Sequence, residues 1–175
     1  MDPLLFTCKS SLDRGTRTKT ILVALVIMMV CLLGLILPDR TGKIFPVFVS
    51  GFVFLLYAVA LAYGILNTPY AYSITKEYLE VKKRFNPLRI PIAEIKNIRE
   101  FNTDDRKGLY RKFGTEGVLG NLGHYASKLH SHLMVFTSRD THWALVVTRS
   151  GKKYVISPDD MLLIAATREL LGATP

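Results

Sequence analysis

ILVALVIMMVCLLGLIL, Ile21–Leu37, is an unbroken apolar run with no charged residue between Thr20 and Pro38. As a helix rising about 1.5 Å per residue it reaches roughly 26 Å, close to the hydrocarbon thickness of a bilayer. A second uncharged run, IFPVFVSGFVFLLYAVALAYGIL, covers Ile44–Leu66, and at roughly 35 Å it crosses with some tilt. Only PDRTGK, Pro38–Lys43, lies between them. Two spans joined by so short a link must run antiparallel. The competing reading of the first run, a cleaved secretion signal, fits poorly, because the run exceeds a normal signal core and no small-x-small site precedes the link. The small residues Ala58 with Ala62 and Ala60 with Gly64 are expected to let the helices approach closely.

Charge sets the expected orientation. Lys9, Arg14, Arg17 and Lys19 precede the first run, Arg40 and Lys43 lie in the link, and Lys76, Lys82, Lys83 and Arg84 follow the second. The excess outside the link predicts both termini in the cytoplasm, as expected for an integral protein of a bacterial inner membrane. Cys8 and Cys31 are the two cysteines; one lies in the tail and one in a span, so they suggest neither a disulfide framework nor a metal site.

The expected organisation is thus a basic cytoplasmic tail over 1–19, a helical hairpin over 20–66 with helices near 21–37 and 44–66, and a folded module over 70–172. The module's pattern is mostly strand. YSIT (72–75) and YLEVKKRF (78–85) alternate apolar and polar residues. Asn86-Pro87 turns the chain, and LRIPI (88–92) contains Pro91, which confines it to an edge or a bulge. IKNIREF (95–101), LMVFT (133–137), HWALVVT (142–148) and KYVIS (153–157) bring the expected strands to seven. The final segment predicts a helix with Ser157 as N-cap, Pro158 in its first turn, a stripe of Met161, Ile164, Ala165 and Leu171, and a stop at Gly172.

On YSITKEYLEVKKRF, IPIAEIKNI, RKFGTEGVLGNLGHY and RSGKKYVISPDD, the chain from Tyr72 to Leu171 resembles the bacterial pleckstrin-homology (PH-like) domains, in the subgroup attached to N-terminal transmembrane helices. The resemblance implies a seven-stranded, strongly bent PH-like barrel plugged at one end by the C-terminal helix. It implies no activity, since such folds serve as scaffolds for lipid head groups, peptides or partner subunits.

GTEGVLGNLG, within an insertion over 108–125, places Gly114, Gly117, Gly120 and Gly123 at every third position. A phosphate-binding loop needs a following Gly-Lys-Ser/Thr and a helix, and a dinucleotide fingerprint needs a βαβ unit; neither is present. The glycines are expected to supply positive φ angles and close backbone approach in an excursion between the fourth and fifth strands. Val118, Leu119 and Leu122, framed by Arg111, Lys112 and Lys128, suggest that this excursion folds onto the barrel or dips into the lipid interface.

From Asn67 onward 17 Lys and Arg face 11 Asp and Glu, a net +6 within an overall +9. The densest cluster, Lys82, Lys83, Arg84 and Arg89, begins later than the basic motif that the resemblance would place on the first two strands, so a nonspecific attraction to anionic lipid and a merely solvated basic face are equally expected. Basic charge without a helix-turn-helix or an RNP-like motif argues against nucleic acid. His130 and His132 would share one side of a strand, but no third and fourth ligand stand in register, so no metal is expected. Nucleophile motifs are absent, which argues against an enzyme or a cofactor.

The function expected is therefore a noncatalytic, membrane-anchored binding or scaffolding module that recognises a partner membrane protein, a second copy of itself, or anionic lipid head groups. An accessory subunit of a transporter or envelope complex, working through the hairpin, is the alternative.

Overall fold

The computed structural model describes residues 4–36 and 44–173. Strand β1 (Leu4–Lys9) leads into helix α1 (Arg14–Ile36), and helix α2 (Ile44–Asn67) follows the link, which lies outside the described residues. Both helices are long and apolar enough to cross a membrane, and their apolar stretches are 0% and 6% buried respectively. A core helix of a water-soluble domain would bury such a face. α1 begins seven residues before the expected start because Asp13 caps it through Thr16 N–H at 3.0 Å, which draws Arg14, Arg17 and Lys19 into its first turns.

The module that follows contains β2 (Pro69–Thr75), β3 (Tyr78–Lys83), β4 (Leu88–Pro91), a 3₁₀ turn over Ile92–Glu94, β5 (Ile95–Glu100) and a single helical turn α3 (Thr103–Arg106). Then come β6 (Tyr110–Thr115), β7 (Asn121–Ala126), β8 (Leu133–Thr137), β9 (Ala144–Thr148), β10 (Lys153–Ile156) and α4 (Leu162–Ala173). The strands form two sheets, ordered β1-β2-β3-β4 and β5-β9-β10-β8-β7-β6. β8 and β10 pair in parallel and the other neighbours antiparallel.

The expectation of a closed seven-stranded barrel is corrected to two sheets holding ten strands among the described residues. All seven expected segments contain strands. The three additional ones are β6 and β7, made from the glycine-rich segment, and β1, made from the basic tail. β1 alternates the more buried Phe6 and Cys8 with the exposed Leu5, Thr7 and Lys9, a period-two pattern that the tail's charge obscured. It pairs along β2, with Cys8 opposite Tyr72. Pro91 does end an edge strand, since β4 closes its sheet.

Tyr72, Ile74, Leu79, Val81, Ile98, Val146, Ile156 and Leu163 form the main core between the sheets and α4. The opposite face of the larger sheet packs Phe101, Tyr125, Leu133, Val135, Trp143, Leu145 and Val155 into a second cluster. β9 therefore buries alternate residues in both cores and reads as continuous apolar sequence, as a two-faced strand must. α4 packs across β5 and β1, the edges of the two sheets.

Its start is also corrected. Asp160 Oδ1 accepts from Leu162 N–H at 2.9 Å, while Ser157 faces inward and its hydroxyl accepts from Ser138 N–H at 3.0 Å. The buried stripe is Leu163, Ile164 and Thr167, supported by Leu170 and Leu171, and it leaves Ala165 exposed. A polar seam joins the sheets around the fully buried Tyr72. Its hydroxyl donates to Phe136 O at 2.9 Å and accepts from Ser157 N–H at 3.1 Å.

Candidate functional site

The glycine-rich segment is a hairpin. Gly114 and Gly123 stand opposite each other in the β6–β7 ladder with φ of 124° and 122°. A Cβ on Gly123 would strike the Phe113 carbonyl oxygen, and one on Gly114 that of Leu122. Only glycine allows this backbone approach. The expected positive φ angles are therefore real: those of Gly117 and Gly120 serve the turn of the excursion, and those of Gly114 and Gly123 serve a strand pair.

The turn of that hairpin grips the bases of both helices. Leu119 adopts φ of 58°, a region unfavourable for a residue of its bulk. Its N–H donates to Thr20 Oγ1 of α1 at 3.0 Å, and its carbonyl accepts from Thr68 Oγ1, just past α2, at 3.0 Å. Its side chain fills the space over Gly64, where an added Cβ would lie 2.9 Å from Leu119 Cδ1. Gly64, expected to serve helix–helix packing, instead receives the hairpin. A second tie runs through Asp140, which accepts from Asn121 Nδ2 at 2.9 Å and pairs with Lys19 of α1 at 3.1 Å. Such contacts stabilise by about 1 kcal/mol each.

Held there, β6 lies along α2. A cleft of about 550 Å³ separates them, lined on the helix by Leu56, Val59, Ala60 and Tyr63 and on the strand by Arg111–Thr115. Phe113 is 72% exposed and Tyr110 56%. Lys112 Nζ donates to Ser131 O at 3.0 Å, whereas Arg111 has no carboxylate partner among the described residues.

The expected basic residues do not form one patch. Arg111 and Lys112 flank the cleft. Lys128 lies at the opposite end of the hairpin from its turn, its aliphatic stem against Gly108. Arg84 lines a separate hollow of about 260 Å³ with Leu119, Ile65 and Thr68. Lys82 is half-buried on β3. Lys83 lies over the Phe136 ring, 4.9 Å from its centroid, and partial burial pulls its pKa down. Arg89 is engaged by Glu80 at 2.8 Å. Leu122, expected either to fold onto the barrel or to dip into lipid, is 3% exposed and belongs to the interior.

The sequence reading missed a buried polar cluster beside the second core. Asp105, 3% exposed, receives both Arg99 guanidinium nitrogens at 2.6 and 2.8 Å and Asn102 N–H at 3.0 Å. Lys153 Nζ donates to His130 Nδ1 at 3.1 Å, which leaves the ring proton on Nε2 to donate to Asp105 Oδ1 at 2.8 Å. The Arg99 hydrogen bonds hold the Asp105 carboxyl far below the usual carboxylate range, against the opposing effect of burial, with His130 and Asn102 adding to them. The spacing of Asn102 and Asp105, typical of a helix start, was the available signal. His130 and His132 share no strand, since His132 is exposed beside His124 at another hollow. No group of three or more His, Cys, Asp or Glu suited to a metal occurs among the described residues.

A family model for the bacterial PH domain matches residues 70–169, more than half of the chain. No curated protein and no solved structure matches. The chain belongs to the bacterial PH domain family; β1, α1 and α2 lie outside the matched segment.

Proposed function

We propose that this member of the bacterial PH domain family is a noncatalytic binding and scaffolding module. Its helical pair anchors it in a bacterial inner membrane, and its hairpin edge recognises anionic lipid at the cytoplasmic face. The observation that carries this reading is the Leu119 clamp. Because Thr20 and Thr68 bond the same residue, the module is fixed at the helix bases rather than loosely tethered, and β6 must face whatever surrounds α2. If that surrounding is a bilayer, Tyr110 and Phe113 lie where interfacial aromatic residues are favoured. Arg111 and Lys112 then meet anionic head groups, at about 1 kcal/mol per basic residue near the surface. Arg14, Arg17 and Lys19 at the start of α1 support the cytoplasmic assignment by the same charge rule.

The test places the full chain in nanodiscs of phosphatidylcholine alone and in nanodiscs half phosphatidylglycerol, and follows amide hydrogen exchange. Exchange over Tyr110–Thr115 is expected to slow with the anionic lipid and to recover in high salt. Equal exchange in the two lipids overturns lipid recognition, and protection that appears only with a copurifying protein would replace it with a partner.

A further inference from the structure

We propose that the cleft between α2 and β6 is a binding site for one anionic glycerophospholipid taken from the surrounding bilayer. The proposal rests on the membrane reading above and adds a defined, stoichiometric site to it. Leu56, Val59, Ala60 and Tyr63 recur at the spacing of a single helix face, and all four are exposed. A cleft of about 550 Å³ is of the size that small-molecule ligands occupy. Its apolar floor continues into the outward-facing surface of α2, so a lipid chain enters sideways without leaving the hydrocarbon.

Depth makes the occupant anionic. α2 has 24 residues, about 36 Å of helix against about 30 Å of hydrocarbon. Counted back from Asn67, Tyr63 is about 6 Å and Leu56 about 16 Å from the helix end, so the cleft straddles the boundary between head groups and acyl chains. Arg111 stands on its wall with no carboxylate partner among the described residues, and no acidic residue lines the cleft. An unpaired guanidinium at that depth is costly. A lipid phosphate relieves the cost and offers the bidentate geometry that arginine favours. Phe113, with its exposed ring, and the Ala60 gap opposite leave room for a chain between helix and strand. Lys112 is already directed to Ser131 O, whereas the Arg111 guanidinium has no such tie among the described residues and offers a planar fork of donors, so Arg111 carries the selectivity.

The experiment uses the full chain extracted in mild detergent, with native mass spectrometry of retained phospholipid and add-back of phosphatidylglycerol or phosphatidylcholine after delipidation. The natural sequence is expected to keep one phospholipid and to prefer phosphatidylglycerol by about tenfold or more. Arg111→Gln should remove that preference while thermal stability holds. Ala60→Trp, which fills the cleft, should abolish retention of either lipid. If Ala60→Trp disturbs folding, Val59→Phe and Arg111→Gln carry the test.

Equal retention of the two lipids, retention unaffected by filling the cleft, or a second copy or another protein in place of lipid overturns the proposal. Lipid loss in Ala60→Trp with β6 exchange still slowed in anionic nanodiscs supports the site separately from surface recognition. Slowed exchange with no retained lipid refutes the site alone, and equal exchange in both nanodiscs refutes the surface reading.

Discussion

Asp105 shows how a single buried carboxylate can hold a local structure together. Three groups converge on it through four hydrogen bonds, from β5, the start of α3 and the β7–β8 connection, and they lie over the Phe101 and Trp143 side of the second core. A carboxyl whose folded pKa lies below its unfolded value contributes stability that is fully present above about pH 4 and is lost as pH falls through the folded value. The protein is therefore expected to lose stability progressively in acid below about pH 4. Asp105→Asn should cost about 3 kcal/mol at pH 7, because it leaves Arg99 half-buried without its partner, and the gap to the natural sequence should narrow as the pH falls. Thermal unfolding of both proteins from pH 7 to pH 3 measures this, and parallel pH profiles would contradict it.

The β6–β7 hairpin is the element on which position depends. Its backbones approach closely only because Gly114 faces Gly123. Gly123→Ala should separate the strands and destabilise the protein by about 2–3 kcal/mol, with faster amide exchange over 117–121 as Leu119 leaves Gly64. A variant that melts like the natural sequence would show the hairpin to be more compliant than its geometry implies. The sequence made the glycines, their positive φ angles and the apolar Leu119 visible, and it made α1, α2 and the seven strands visible through their periodicity. It did not make the hairpin visible, because YRKFGT carries no apolar alternation: β6 is an edge strand with Tyr110–Phe113 all exposed, so neither face imposes a pattern. Leu119 and Leu122 look alike in sequence, yet the turn aims one at Gly64 and the ladder turns the other inward. Similarly, Arg89 reads as free until Glu80, nine residues away, is placed across the sheet. Tertiary pairing, which one chain's composition does not encode locally, decided these cases.

Across the whole molecule, the chain closes on itself. β1 pairs with β2 on the far side of two helices in sequence, Asp159 N–H donates to Lys9 O at 3.1 Å, and Ser11 N–H donates to Asp159 Oδ1 at 2.8 Å. A chain beginning at Ser10 would uncover the β2 edge and is expected to melt roughly 10 °C lower, in line with loss of about 3 kcal/mol of ladder and burial. An unchanged melting temperature would mean that β1 only decorates the sheet. The pairing also dictates an order of assembly. During synthesis β1 is made before its docking strand, with both apolar helices between them in sequence, so it must wait, unpaired, until β2 has been made. If the two helices span a bilayer, any machinery that carried β1 to the side away from the module would leave the module permanently short of an edge.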